Sequence, residues 1–236
     1  MTAWLQRRPS ASSAARVFCI PHAGCGTGVF RNWPPERNGV EFLPMELPGR
    51  LTRFAERMPG TFQELADCMI ASLRPYLDVP FAFFGHCWSA AVAYEVSGQL
   101  HRVGAPRPAR LFVSSSVPPQ DGPAGRMLLM NEAELATELE AMIRDQGNRP
   151  HPELVSIYVK VLQADIETYR RYLVARPVRL ACPILAIGWR DDTEVRPEQM
   201  AGWTACGDTT FTVFPGRHHG FIAAPSELLD ALSAGW

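Results

Sequence analysis

Short runs of consecutive apolar residues alternate along the chain with longer stretches in which apolar residues recur every three or four positions. The short runs cover residues 16–21, 40–47, 81–85, 109–116, 183–188 and 210–215. Three of them contain VFCI, FAFF and ILAI, and such unbroken apolar runs are typical of strands buried on both faces of a parallel sheet. We therefore predict a mostly parallel sheet covered by helices.

Helical spacing occupies most of the segments between these runs. Residues 61–77 carry an apolar stripe with a period of 3.6 residues, and Thr61 with Glu64 forms a capping pair at its start. A second helix begins at Trp88, directly after a predicted strand, and a third covers 226–236. Strands that alternate with helices indicate βαβ units and an α/β fold.

Residues 119–176 interrupt this alternation, because two helical patterns lie there between successive strands. The first has Asn131 as its cap, the second covers 154–173, and DQGNRPHP separates them. Since a parallel crossover needs only one helix, we predict an inserted helical lid, although both helices could simply cover the sheet. The expected organisation is a single domain over 1–236 with its lid at 119–176.

The composition fits one fairly large domain or two small ones, since the chain has 236 residues and is 47% hydrophobic. A formal net charge of −1 gives no overall attraction to nucleic acid or to an anionic membrane. The first apolar run, VFCIP, is too short for a signal peptide or a membrane span. We therefore expect a cytoplasmic monomer whose first fifteen or so residues form a disordered tail, with a transit peptide as the alternative.

None of the six cysteines forms a C-x-x-C pair. Cys19, Cys68 and Cys182 lie in apolar segments, where cysteine behaves as a small core residue. These spacings disfavour a disulfide framework or a zinc site in a cytosolic chain.

Residues 83–90, FFGHCWSA, follow the pattern of a nucleophile elbow. In this motif one small residue lies two positions before the nucleophile and another lies two positions after it, and the usual sequence is G-x-S-x-G. Cys87 falls between a predicted strand and a predicted helix, and Gly85 and Ser89 are small enough for close packing there. Cys87 is therefore either a nucleophile in place of serine or a buried cysteine that only fits the pattern.

Candidates for the other members of a catalytic triad follow the elbow in the order found in α/β-hydrolases. Asp191 and Asp192 come after the strand at 183–188, and His218 and His219 follow the last strand. A carboxylate at this place can hold a histidine in the correct tautomer. The alternatives are a solvated acidic turn and two surface histidines.

A glycine-rich loop, CIPHAGCGTGVF, follows the first strand. Glycine lets backbone N–H groups approach a ligand closely, so this loop can supply one donor of an oxyanion hole. The N–H of Trp88, directly after the nucleophile, would supply the other. A phosphate-binding loop is the competing interpretation, but the G-x-G-x-x-G spacing and a Walker lysine are both missing.

Taken together, these motifs resemble the type II thioesterases of polyketide and nonribosomal peptide assembly lines. The shared marks run from roughly residue 16 to 222 and are CIPHAG, ELPGR, FAFFGHCWSA, ARLFVSSSVPP, DIETYRRY, CPILAIG, DDTEV and VFPGRHHGF. The resemblance implies an α/β-hydrolase fold with a helical lid. It also implies hydrolysis of acyl groups on the phosphopantetheine arm of an acyl or peptidyl carrier protein, without a metal or a cofactor of its own.

Carried over by position, the resemblance assigns Cys87 as nucleophile, Asp192 as acid and His218 as base. Ala23 and Trp88 match the oxyanion donors. The side chains expected to line the substrate pocket are His86, Trp189 and His219.

The chain departs from this family at several positions. Cysteine replaces the usual serine, Cys25 and Arg217 replace glycines, and the indoles of Trp88 and Trp189 are expected to narrow the pocket. A cysteine nucleophile forms an acyl-enzyme that is still a thioester, so transfer to a second thiol or amine is an alternative to hydrolysis. Some relatives that shuttle aminoacyl groups look like cysteine versions of this fold. A non-catalytic carrier-binding protein is the third interpretation.

Overall fold

The computed structural model describes residues 3–145 and 149–236. Within them, one seven-stranded sheet has the order β2-β3-β1-β4-β5-β6-β7, and every neighbouring pair is parallel except β2 with β3. The strands are β1 (Ala15–Ile20), β2 (Glu36–Arg37), β3 (Val40–Pro44), β4 (Phe81–His86), β5 (Arg110–Ser114), β6 (Ile184–Trp189) and β7 (Thr209–Phe214). The predicted α/β architecture is confirmed, and β2 is an addition too short to leave a hydrophobic pattern.

The central strands explain why their sequences are apolar throughout. Every residue of β1 and β4 is buried, because helices cover both faces of the sheet there. The register pairs Phe18 with Phe83 and Ile20 with Gly85, so the carboxyl ends of these two strands lie side by side. At the edge of the sheet, β7 contains only exposed and half-buried residues, since it has a neighbour on one side only.

Five α-helices flank the sheet in the described residues: α1 (Phe62–Leu73), α2 (Trp88–Arg102), α3 (Glu132–Asp145), α4 (Pro152–Arg170) and α5 (Ser226–Ser233). The predicted cap of α1 is present, since Thr61 accepts a hydrogen bond from the N–H of Glu64 at 3.1 Å. Asn131 caps α3 in the same way, and its own N–H donates to the carboxylate of Glu134. No helix in the described part of the chain is both long and apolar enough to span a membrane.

The segment between β5 and β6 carries α3 and α4, which pack against each other. Residues 146–148 of the connection DQGNRPHP lie outside the described residues. The two helices share a small hydrophobic core separate from the two cores of the sheet: Leu135, Leu139, Val155, Val159, Leu162 and Ile166. The inserted lid at 119–176 stays a prediction, because α4 also buries Tyr169 in a core of the sheet.

The expected disordered tail before residue 16 is wrong for the part of it that the structure describes. Trp4 and Leu5 are buried, and Leu5 forms an isolated bridge with Met45 beside the sheet. The guanidinium of Arg53 lies 4.2 Å from the ring centroid of Trp4. Two isolated apolar residues give no periodic signal, so their tertiary contacts were invisible in the sequence.

One of the three cysteines predicted to be core residues is exposed. Cys19 and Cys182 are buried, but Cys68 faces solvent. Leu65 and Met69 belong to the buried stripe of α1, and Cys68 lies just outside that stripe. An apolar segment was therefore not enough to predict whether the cysteine side chain is buried.

Candidate active site

Cys87 occupies the turn between β4 and α2, and its backbone is strained. Its φ of 53° and ψ of −121° lie in a region that side chains with a β-carbon avoid, at a typical cost of about 1–3 kcal/mol. The N–H of Cys87 donates to the carbonyl of Ser114 on β5 at 2.8 Å, which holds the turn against the sheet. Cys87 is partly exposed although the residues around it, 81–86 and 88–90, are all buried. The structure therefore presents this thiol at the carboxyl edge of the sheet.

Gly85 and Ser89 make this sharp turn possible. A β-carbon on Gly85 would lie 2.3 Å from the carbonyl oxygen of Ser89, so no larger residue fits there. The Ser89 hydroxyl accepts from the N–H of His86 at 2.8 Å and lies 3.0 Å from the carbonyl of Ile20. Ser89 thus ties the start of α2 to β1, a contact that glycine cannot make.

His218 and Asp192 are hydrogen-bonded to each other, although 26 residues separate them. Nδ1 of His218 lies 2.9 Å from Oδ2 of Asp192, and both side chains are almost completely buried. The other carboxylate oxygen accepts the N–H groups of Glu194 and Val195 at 2.8 and 3.0 Å. Nδ1 is therefore engaged with the carboxylate, and Nε2 remains available. The structure brings these two of the predicted triad residues together, and His218 also contacts the Cys87 thiol.

The electrostatics of this pair favour a charged imidazole. Burial alone would lower the pKa of His218, but the hydrogen bonds to Asp192 and to Cys87 outweigh it and raise that pKa above its usual value. For Asp192, burial alone would raise the pKa, but the contact with His218 outweighs it and lowers the pKa to about 2. Asp192 is thus ionised at neutral pH and able to stabilise an imidazolium.

Two backbone N–H groups of the glycine-rich loop are already engaged in hydrogen bonds. The N–H of Gly24 donates to Oδ2 of Asp165 at 2.8 Å, and the N–H of Cys25 donates to the carbonyl of His22 at 3.1 Å. Ala23 is the remaining predicted donor of this loop. The N–H of Trp88 belongs to the first turn of α2, where backbone donors have no partner within the helix. Both donors lie at the carboxyl ends of the neighbouring strands β1 and β4.

A buried ion pair, which the sequence did not reveal, holds the loop against α4. Nη2 of Arg50 lies 2.8 Å from Oδ1 of Asp165, and neither side chain is more than 1% exposed. Nη1 of Arg50 donates to the carbonyl of Cys25, and the indole N–H of Trp88 donates to the carbonyl of Asp165, each at 2.8 Å. The motifs ELPGR and DIETYRRY contained both partners, but nothing in the pattern linked residues 115 positions apart.

Four histidines, called here the histidine cluster, pack together beside the elbow: His22, His86, His218 and His219. Ring centroids lie 4.7 Å apart for His86 and His218, and 4.8 Å apart both for His218 with His219 and for His22 with His219. Burial lowers the pKa of His86 well below its usual value, that of His22 to about 4 and that of His219 to about 2. Three histidines with lowered pKa values thus surround His218, whose pKa is raised.

Only one of the three residues predicted to line the substrate pocket faces an open space. His219 lies with His218 in a cleft of about 1180 Å³, whose walls also include Arg126, Glu194 and Arg217. His86 is completely buried, and its Nδ1 lies 3.0 Å from the hydroxyl of Ser114. The first variable position of the elbow therefore points into the protein.

Trp88 and Trp189 were expected to narrow the pocket, but neither side chain lines the cleft. Trp189 is completely buried, its indole N–H donates to the Ser114 hydroxyl at 3.1 Å, and its ring packs against Gly220. A β-carbon on Gly220 would come within 2.6 Å of that ring. Trp88 is also buried and packs edge-on against Phe62. Both indoles therefore lie in the interior of the protein, beneath the loops of the site.

A parallel sheet with a strained strand–turn–helix junction and a buried acid–histidine pair at its carboxyl edge defines an α/β-hydrolase fold. The family model described as "Thioesterase domain" matches residues 15–235. The chain therefore belongs to the thioesterase family and is a hydrolase of thioesters.

Three relatives belong to biosynthetic pathways, and the two with solved structures are thioesterases. The chain is 27% identical to the gramicidin S biosynthesis protein GrsT of Aneurinibacillus migulanus, covering 94% of this chain and 88% of the relative. It is 31% identical to the solved RedJ thioesterase from the prodiginine pathway of Streptomyces coelicolor, with a TM-score of 0.78 over 94% and 91% of the two chains. The type II thioesterase BorB, from the borrelidin biosynthetic cluster, is 26% identical and superposes with a TM-score of 0.82 over 98% and 96%.

Proposed function

We propose that this thioesterase releases acyl or aminoacyl groups from the phosphopantetheine arm of a carrier protein, with Cys87, His218 and Asp192 as its triad. One observation carries the proposal: a partly exposed thiol on a strained turn contacts a histidine whose other nitrogen is hydrogen-bonded to a buried aspartate. The relatives support the substrate class, because GrsT and RedJ belong to the biosynthesis of gramicidin S and of prodiginine.

In the acylation step, Nε2 of His218 takes the proton of the Cys87 thiol, and the sulfur attacks the thioester carbonyl carbon. The tetrahedral oxyanion is bound by the N–H groups of Ala23 and Trp88, each worth about 3–4 kcal/mol in the transition state. When the intermediate collapses, the bond to the pantetheine sulfur breaks. That sulfur leaves with the proton held by His218, and the acyl group remains on Cys87.

In the deacylation step, His218 removes a proton from a water molecule that attacks the acyl-enzyme. The second tetrahedral intermediate uses the same two N–H donors. Its collapse breaks the bond to Sγ, returns the proton to Cys87 and releases the free acid. Asp192 keeps the imidazole in one tautomer throughout and stabilises its charged form.

The α3–α4 unit within 119–176 acts as the lid in this proposal. Asp165 on α4 receives the N–H of Gly24 and pairs with Arg50, so the position of α4 is linked to the loop that carries Ala23. Movement of the lid would therefore change the oxyanion hole as well as access to it.

Transfer to a second thiol or amine is the alternative that the nucleophile itself favours. A cysteine acyl-enzyme is a thioester, so its formation from a thioester is nearly balanced in free energy and the acyl group stays activated. The same Cys87 intermediate serves both reactions, and only the acceptor differs.

The decisive experiment mixes the protein with a carrier protein bearing a labelled acyl group, with and without an unlabelled holo-carrier. We expect free acid to form at the same rate in both mixtures. Label that moves to the second carrier faster than acid appears would identify a transferase instead. If the label stays on the first carrier while the two proteins bind each other, the protein is a non-catalytic binder.

A further inference from the structure

We propose that His86, His218 and His219 form a binding site for a divalent transition-metal ion, with Zn²⁺ as the ion of choice, and that its occupancy reversibly blocks the active site. Each of these residues offers a ring nitrogen, and the three nitrogens lie within 4.8 Å of one another. Neutral imidazole is a preferred ligand of zinc, copper and nickel ions. The binding part of this proposal is independent of the proposed function, and the blocking part rests on it.

The hydrogen bonds decide which nitrogens can bind the ion. Nδ1 of His218 is bonded to Asp192, and Nδ1 of His86 lies 3.0 Å from the Ser114 hydroxyl, so each ring presents Nε2. Nε2 of His86 is buried and has no hydrogen-bond partner among the described residues. A buried polar atom without a partner is rare in folded proteins and requires an explanation. A bound metal ion supplies the missing partner.

The groups that would orient these ligands are already in place. A histidine ligand usually donates its second N–H to a carboxylate or another acceptor, which fixes the ring and raises its basicity. Asp192 does this for His218. The Ser114 oxygen can do it for His86 while it still accepts the indole N–H of Trp189, because a hydroxyl oxygen has two acceptor sites.

A tetrahedral site requires a modest approach of the rings. Zinc–nitrogen bonds of about 2.0–2.1 Å in a tetrahedron place the ligand nitrogens about 3.4 Å apart, so separations of up to 4.8 Å must close by at most about 1.4 Å. His86 is fixed in the core, whereas His219 is only partly buried and lines the cleft. His219 is therefore the ligand with the most room to move, and the cleft that it lines leaves space for water as a fourth ligand.

The consequence for activity follows from the atom that binds the ion. Once Nε2 of His218 gives its lone pair to Zn²⁺, it cannot accept the proton of Cys87. No covalent change is involved, so a chelator restores the free imidazole. A metal ion here is an inhibitor, and the thioesterase reaction itself proceeds without one.

The test measures binding directly, by competition for Zn²⁺ between the metal-free protein and a chromogenic chelator. We expect one bound equivalent in the wild type and at least ~10-fold weaker binding in His219→Gln, since loss even of a group that orients a ligand costs about 10–100-fold. The matched controls are His101→Gln and His151→Gln, which change the two histidines outside the histidine cluster and are expected to keep wild-type affinity. Cys87→Ala is also expected to bind, because the thiol is not a ligand.

Two results would overturn the inference. The wild type could bind no Zn²⁺, or Zn²⁺ affinity could be the same in His219→Gln as in the wild type. If affinity in that second case is lost in Cys87→Ala, the ion is assigned to the thiol. Absorption of bound Co²⁺ adds an independent readout, since imidazole coordination changes its visible spectrum. If the protein binds Zn²⁺ but releases no acid even when it is metal-free, the proposed function is refuted and the metal site stands.

Discussion

The backbone at Cys87 is held in place by partners on three neighbouring elements. The carbonyl of Ser114 on β5 accepts a hydrogen bond from the N–H of Cys87. Gly85 on β4 leaves room for the turn, and Ser89 on α2 links the turn to β1. The strain, typically about 1–3 kcal/mol, is therefore maintained by the surrounding structure and keeps the thiol exposed to a substrate.

His218→Ala should lower turnover of an acyl-carrier substrate by at least ~100-fold, because a general base typically contributes about 10²–10⁴. His219→Ala should lower it less, since its ring makes no hydrogen bond to Asp192. The measurement is kcat for release of free acid by the two variants side by side. A larger loss from His219→Ala would show that the wrong histidine was assigned as base.

At the level of single residues, the sequence predicted the elbow and the histidine loop because both are local patterns. It could not separate Asp191 from Asp192 or His218 from His219 without the resemblance. The structure separates them geometrically, since only Asp192 and His218 are bonded to each other. The direction of Trp189 was not predictable, because a strand residue can face either side of a sheet that is buried on both.

Among the elements, the crossing of β4 and α2 is the tightest contact of the site. Gly85→Ala should destabilise the protein by about 1–3 kcal/mol, the usual cost of overpacking, because its β-carbon would meet backbone atoms of Ser89 that cannot move independently.

The control for this crossing is Gly28→Ala, where a β-carbon meets nothing within 4 Å and φ is not positive. That change should be neutral, or stabilising by about 0.4–1 kcal/mol. Urea unfolding of both variants makes the comparison. Equal stability of the two would contradict the packing assigned to the elbow.

The Arg50–Asp165 pair links α4 to the oxyanion loop and gives a second prediction for the elements. Asp165→Asn should cost about 3–5 kcal/mol, because it leaves the Arg50 guanidinium buried without its counter-ion. The double variant Arg50→Met/Asp165→Asn should be less destabilised than the sum of the single variants, by at least ~1 kcal/mol. A double-mutant cycle in urea measures this coupling, and additive losses would mean that the pair does not act as a unit.

For the molecule as a whole, the helices and central strands were predictable because buried positions produce a recognisable pattern of apolar residues in the sequence. The contacts that fasten the ends and the lid were not, since Leu5 with Met45 and Arg50 with Asp165 pair residues far apart in the chain. The two-residue strand β2 is likewise defined by its partner alone.

The first described residues therefore contribute to global stability. Leu5→Ala should lower the free energy of unfolding by about 2–5 kcal/mol, as for other buried leucines, because Leu5 is only 3% exposed. Leu129→Ala, at a leucine 91% exposed, should change it by no more than about 0.5 kcal/mol. Thermal and urea unfolding of both variants test this prediction. If Leu5→Ala left the stability unchanged, the result would support the disordered tail expected from the sequence.

Intact-protein mass spectrometry after brief mixing with a panel of acyl-loaded carrier proteins tests the central claim most directly. We expect a mass increase equal to the acyl group, located by peptide mapping on Cys87 and absent from Cys87→Ala. An acyl adduct that persists in Cys87→Ala, or hydrolysis by that variant at the wild-type rate, would contradict the covalent mechanism proposed for this thioesterase.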